Sequence, residues 1–327
     1  MNILPAGSGD PVGAAALLDF ADPPELERFT ALENAVWGRT TLTPAVIEAV
    51  RLHCAQTRGC KFCAAVRTTA ATEDGLSEDH IARLSSREAR DGFAPAQAAA
   101  LQLADHFLLD PRRPAEPAAA KIAAILGTAG IMEVLLACCA FASADLRIAL
   151  GENREPYGSG IVHRTSGRRA SRAVATAWPA LDGPVLDPHT RMPAVDRELA
   201  RPFDERREAL WSGRDISPAQ VAACVIRSAQ LRSAAEGRPD YEILVPVRAA
   251  RLADPEAVRH WHKWRPSPDR HLLALAEQTW LDPSGISADI TAPLVAILGV
   301  EGIIRVTWQL ILIGQLHRLA LVLHRNT

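Results

Sequence analysis

The chain repeats itself at long range, and that repeat limits what it can fold into. LADHFLLDP at 103–111 returns as LAEQTWLDP at 275–283, and AAILGTAGI at 123–131 returns as VAILGVEGI at 295–303; both pairs lie 172 residues apart. Upstream, Phe29 and Trp37 return as Phe203 and Trp211, and the Thr43-Pro44 step returns as Ser217-Pro218, at a spacing of 174. A spacing that drifts so little over so long a span points to duplication of one unit. With two copies, the expectation is a pair of related domains packed about a pseudo-twofold axis rather than a solenoid. The boundaries read as residues 1–153, a linker over 154–194, and a second unit over 195–327. In the linker, Gly, Pro, Ser and Arg crowd together and apolar periodicity fades. It also carries the basic cluster Arg164, Arg168, Arg169 and Arg172, read as solvated or as an anion or partner contact.

Both units read as all-α. Alanine is abundant, aromatics are 5%, and no segment alternates apolar with polar as a half-buried strand does. Asp22-Pro23-Pro24-Glu25 opens a helix in which Phe29, Leu32 and Val36 recur at helical spacing. Thr43-Pro44 caps the next, with Val46, Ile47, Val50 and Cys54 on its apolar face, and Gly59 ends it. Further helices are expected over 60–72, 77–84, 95–109, 118–126 and 131–150. A hydrophobic share of 48% and a charged share of 23% exclude a disordered or fibrous chain. The formal net charge of −2 gives no electrostatic case for nucleic acid or an anionic membrane. The first residues lack a basic start followed by an apolar core, so no secretory leader is expected. Residues 303–323 come nearest to a membrane span, but Arg305, Gln309, Gln315, His317 and Arg318 interrupt them, and they read as a buried helix. The expected location is cytoplasmic.

The second copy keeps the scaffold and loses a particular set of side chains. Glu48 aligns with Ala222, Cys60 with Ala234 and Cys63 with Gly237. The set lies in Glu48-x11-Cys60-Lys61-Phe62-Cys63-x3-Arg67. Helix positions i and i+3 sit about 5–6 Å apart, within the Cα range that a disulfide tolerates. A pair at a helix start can therefore open and close with little backbone movement. The unpaired N–H groups and dipole there favour a thiolate, and favour it most at Cys60. Lys61 and Arg67 add positive charge nearby. Two other readings stand beside this one: a zinc site completed by His53 and Cys54, and two inert buried cysteines. Cys54, Cys138, Cys139 and Cys224 read as packing residues. His53 reads as a core or interface histidine, with proton transfer as the alternative, and His106 and His317 have no partner visible in sequence.

The spacing Glu-x11-Cys-x-x-Cys, with PELERF and LTPAVIEAVRLHCAQTRGCKFC before it and GLSEDHIARL after it, resembles the AhpD-like alkylhydroperoxidases of the carboxymuconolactone decarboxylase superfamily. The resemblance covers about 22–150, and about 195–325 as a degenerate copy. It implies an all-α fold in homo-oligomers, no cofactor, and thiol-dependent reduction of a peroxide with electrons from a dithiol reductant protein. It implies Cys63 as the sulfur that meets the peroxide, Cys60 as the resolving thiol and Glu48 as the start of a proton relay. Arg67 stands where the family pattern has a histidine, and Phe62 stands where some members have another. Arginine stays charged and passes no protons at neutral pH, but it can stabilise a thiolate. The rival functions are a non-catalytic helical assembly protein with a vestigial pair, and a decarboxylase-like lyase using Glu48 and His53 as acid and base.

Overall fold

A computed structural model describes residues 14–86, 90–141, 143–151, 160–163, 177–181, 183–187, 196–236 and 244–324, with residues 153, 155, 190 and 192. The described residues are mostly helical. Helices α1 (Ala14–Ala21), α2 (Pro23–Arg39) and α3 (Pro44–Arg58) open the chain. Thr43 accepts the Val46 N–H at the head of α3. Gly59, at φ 72°, closes it, and the N–H groups of Gly59 and Cys60 return to the Gln56 and Ala55 carbonyls.

The single helix expected over 60–72 is three pieces instead: α4 (Lys61–Ala65), the two-residue strand β1 (Arg67–Thr68) and α5 (Thr69–Glu73). Side chains of α3 take the backbone groups that would have continued the helix. Arg51 donates to the Cys63 and Val66 carbonyls, while Glu48 accepts the Thr68 N–H. β1 pairs in parallel with β2 (Ile161–Val162), a piece of the expected linker. Then come α6 (Glu78–Arg83), opened by a Ser77–His80 capping box, α7 (Pro95–Leu108), α8 (Ala118–Phe141) and α9 (Ser143–Ala149). The remaining helices are α10 (Arg197–Ala209), α11 (Pro218–Glu236), α12 (Val247–Leu252), α13 (Pro255–Arg259), α14 (Pro268–Leu281) and α15 (Ala288–Leu323).

Paired features recur at the spacings read in the sequence. α8 kinks at Gly127 (φ 66°, ψ 170°) and α15 kinks at Gly299 (φ 71°, ψ 176°). Thr41 donates through its N–H and Oγ to Glu133 Oε2 at 2.9 and 2.7 Å. At the matching positions Asp215 accepts from Arg305 at 2.7 and 2.8 Å, with donor and acceptor exchanged. His53 bonds Asp105 at 2.7 Å, and at their counterparts Arg227 pairs with Glu277.

One apolar core runs from Leu32 and Val36 of α2 to Leu316 and Val322 of α15. α2 packs on α10, and α1 and α9 pack on α15. The stretch Ala118–Ala149 and helix α15 are long and apolar enough to cross a bilayer by length and composition; the first is mostly buried within the protein and the second a little more than half. Of the expected linker, Trp178, Val185 and Leu186 are buried, and Arg207 holds the Val185, Asp187 and Thr190 carbonyls. The basic cluster at 164–172 lies outside the described residues.

Candidate active site

The paired cysteines sit on the turn that joins α3 to α4. Cys60 is the N-cap of α4: its sulfur accepts the Cys63 N–H at 3.3 Å. The two sulfurs are 2.7 Å apart as free thiols in hydrogen-bond contact. Cys60 is fully buried, whereas Cys63 is half-buried. The hydrogen bond from Cys63 lowers the Cys60 thiol to about 7, with further help from the Cys63 N–H, Arg147 and Arg51 against the opposing cost of burial. That same bond, with burial, raises the Cys63 thiol. The pair thus shares one proton and one negative charge near neutral pH, with the charge favoured on the helix-capping sulfur.

Glu48 is buried on α3, and all of its acceptor capacity is committed. Arg51 grips it with two parallel bonds of 2.7 Å, and Thr68 donates its N–H at 3.0 Å and its hydroxyl at 3.1 Å. Arg51 also donates to the Cys63 carbonyl at 2.8 Å and the Val66 carbonyl at 2.7 Å, so one guanidinium ties the carboxylate to the cysteine turn. Arg51 escaped the sequence reading, although its i+3 spacing from Glu48 on a helix and the Val225 that stands 174 residues on were both readable.

Arg67 is not one helical turn beyond Cys63, because α4 stops at Ala65. Its guanidinium pairs with the exposed Glu78 at 2.7 and 3.1 Å and with the Ala64 carbonyl. The cations that act on the two sulfurs are Arg51 and Arg147. Arg147, buried on α9, lies over the Phe62 ring at 4.3 Å. Asn153 accepts the Lys61 N–H at 2.8 Å and donates to the Gly59 carbonyl at 2.9 Å, fixing the start of the turn.

His53 points elsewhere, into a buried pair with Asp105, which Arg90 completes at 2.7 and 3.1 Å. Those two partners hold the Asp105 carboxyl below its usual range in spite of its burial. Among the described residues no group of His, Cys, Asp and Glu is arranged to hold a metal ion. Cys54, Cys138, Cys139 and Cys224 are buried, and burial pushes the last three thiols up.

Residues 23–106 match the model of the Carboxymuconolactone decarboxylase family, a span that takes in α2 to α7 and the whole motif from Glu48 to Arg67. No curated protein and no solved structure matches.

Proposed function

We propose that this chain, whose residues 23–106 carry the carboxymuconolactone decarboxylase family pattern, is a thiol-dependent peroxidase of AhpD-like type working through Cys60 and Cys63. The observation that carries the reading is the sulfur pair: 2.7 Å apart, at a helix N-cap, with the buried thiol lowered to about 7. The half-buried Cys63 is the sulfur a peroxide reaches. After the proton passes to Cys60, the Cys63 thiolate attacks the distal peroxide oxygen and the O–O bond breaks. Cys63 becomes a sulfenic acid, and the alkoxide leaves and takes up a proton. Cys60 then displaces water from the sulfenic acid to form the Cys60–Cys63 disulfide. A dithiol protein restores both thiols with two electrons and two protons.

Glu48 serves this scheme as an anchor. Its four hydrogen bonds hold the turn and leave no lone pair for a proton relay, which also weighs against the lyase reading that uses it as a base. Two domains from one duplication complete the proposal: the first copy carries the chemistry, and the second, with Ala222 and Val225 in place of Glu48 and Arg51, is a scaffold. The recurring Gly127/Gly299 kinks and the matched polar pairs support it.

The test is a stopped-flow reaction of reduced protein with hydrogen peroxide and an organic hydroperoxide, counting thiols before and after. Two thiols lost, mapped to Cys60 and Cys63 and regained with dithiol, is the expected result. The rate should fall as pH drops through about 7, since the thiolate is lost as the pair takes up a proton. Oxidation of Cys54 or Cys138 ahead of the pair would sink the assignment.

A further inference from the structure

We propose that Arg147 is a positioning residue for the cysteine pair and that the second half of the chain holds it there through α15. The inference rests on Cys60 and Cys63 as the reactive pair and does not depend on peroxide as the substrate.

α9 has two buried faces. On one, Ala144 and Ile148 pack around Cys60 with Phe62 and Cys63 against them, and Arg147, on the same side, spreads over the Phe62 ring. On the other, Leu146 and Leu150 pack with Ile304, Trp308 and Ile311 of α15. The turn at Pro283–Gly285 also packs against α9. The second half therefore presses α9 onto the cysteine turn from outside the segment that matches the family model.

The two cations that act on the sulfurs are Arg51 and Arg147, and the other charges of this region are paired or exposed. Arg51, neutralised by Glu48, approaches from α3; the Arg58–Asp145 pair bridges α3 and α9 at 3.3 Å; Lys61 is exposed on the turn itself. Arg147 brings a second cation to the pair, from α9, and fixes Phe62, a residue between the cysteines. Arg67, spent on Glu78, has no such part. A guanidinium flat on an aromatic ring is held in place by that contact as well as by its charge. This gives the half that lacks the cysteine pair a task in the chemistry of the half that has it.

The experiment is alkylation of the reduced full chain by iodoacetamide from about pH 5 to about pH 9, with rates read by mass spectrometry on the peptide carrying Cys60 and Cys63. Arg147→Met should move the reactivity midpoint up by about one pH unit. Arg147→Lys, keeping the charge without the flat stack, should fall between that and the unaltered protein. Ile311→Ala, far along α15, should also raise the midpoint, by less. A folded Arg147→Met protein with an unchanged midpoint overturns the role of Arg147. An unchanged midpoint in Ile311→Ala overturns the role of the second half. If Arg147→Met does not fold by circular dichroism, Phe62→Leu removes the ring beneath the guanidinium and is read by the same two outcomes. Alkylation needs no peroxide, so a chain that behaves as expected here and ignores peroxides loses the peroxidase reading alone.

Discussion

Both oxygens of Glu48 are saturated by Arg51 and Thr68, and this one residue explains why the helix breaks between Ala65 and Thr69. A buried carboxylate must find partners, and here it takes them from the backbone that would otherwise wind on. Removing one member of such a buried pair strands the other charge, at a cost of about 3–5 kcal/mol. Arg51→Met should therefore cost stability on that scale in denaturant titration and should also raise the pH at which the cysteines alkylate. Arg67→Ala is the contrast. Its partner Glu78 has a side chain 71% exposed, so the pair contributes at most about 1 kcal/mol. The expected outcome is a nearly unchanged unfolding midpoint and an unchanged thiol pH profile. A shift in that profile would place Arg67 back beside the sulfur. The cysteines and Glu48 were legible because the positions 174 residues on hold Ala222, Ala234 and Gly237, with neither the sulfur pair nor the carboxylate. The orientation of Arg67 was not, since it hangs on a helix end set by residues 48 and 51, distant in sequence from the end itself.

At the scale of elements, local signals carried the starts and stops and failed where tertiary bonds decide. The cap at Thr43, the stop at Gly59, the helix start at Ser77 and the Pro95 start all stand where the sequence puts them. The break expected after Leu126 is there: the backbone leaves the helical region at Gly127, and the next helical stretch resumes directly after it rather than at 131. A glycine in a helical run reads as a break by propensity, and Gly127 is where the helical dihedrals stop. Gly127 and Gly299 have φ near +70° with extended ψ, a region closed to other residues. No heavy atom lies within 4 Å of a Cβ built on Gly299, so Gly299→Ala isolates the backbone cost. It should lower stability by about 1–3 kcal/mol without disturbing the core, and Gly127→Ala should do at least as much. A loss of less than a few tenths of a kcal/mol in thermal melts would mean that the kinks are not obligatory.

The two halves meet in one continuous core, which the linker boundaries at 154 and 194 did not foretell, because apolar periodicity marks a buried face without naming what covers it. At the seam a polar knot joins them. Glu25, from the first half, accepts Arg206 Nε at 2.6 Å and Trp308 Nε1 at 2.7 Å from the second, and Arg28 Nε at 2.8 Å from its own helix. Arg206 is buried and stacks on Trp308, which also meets Phe29 edge-on. Burial alone would raise the Glu25 carboxyl, but Arg206 and the hydrogen bonds from Arg28, Trp308 and Arg206 outweigh it, and the group is held below its ordinary value. A carboxyl depressed on folding adds stability that is complete above its unfolded value and is lost as pH falls through the folded one. Glu25→Ala should thus cost about 3–5 kcal/mol at pH 7, because it leaves the Arg206 charge buried and unpaired. The gap between variant and unaltered protein should hold from neutral pH down to about 4.5 and narrow below it, as the native carboxyl protonates and strands the same arginine. Urea titrations of both proteins across that range make the check. A gap that stays constant into strong acid, or one below about 1 kcal/mol at neutral pH, would show that apolar packing alone joins the halves and that the Glu25 knot only fits the space it occupies.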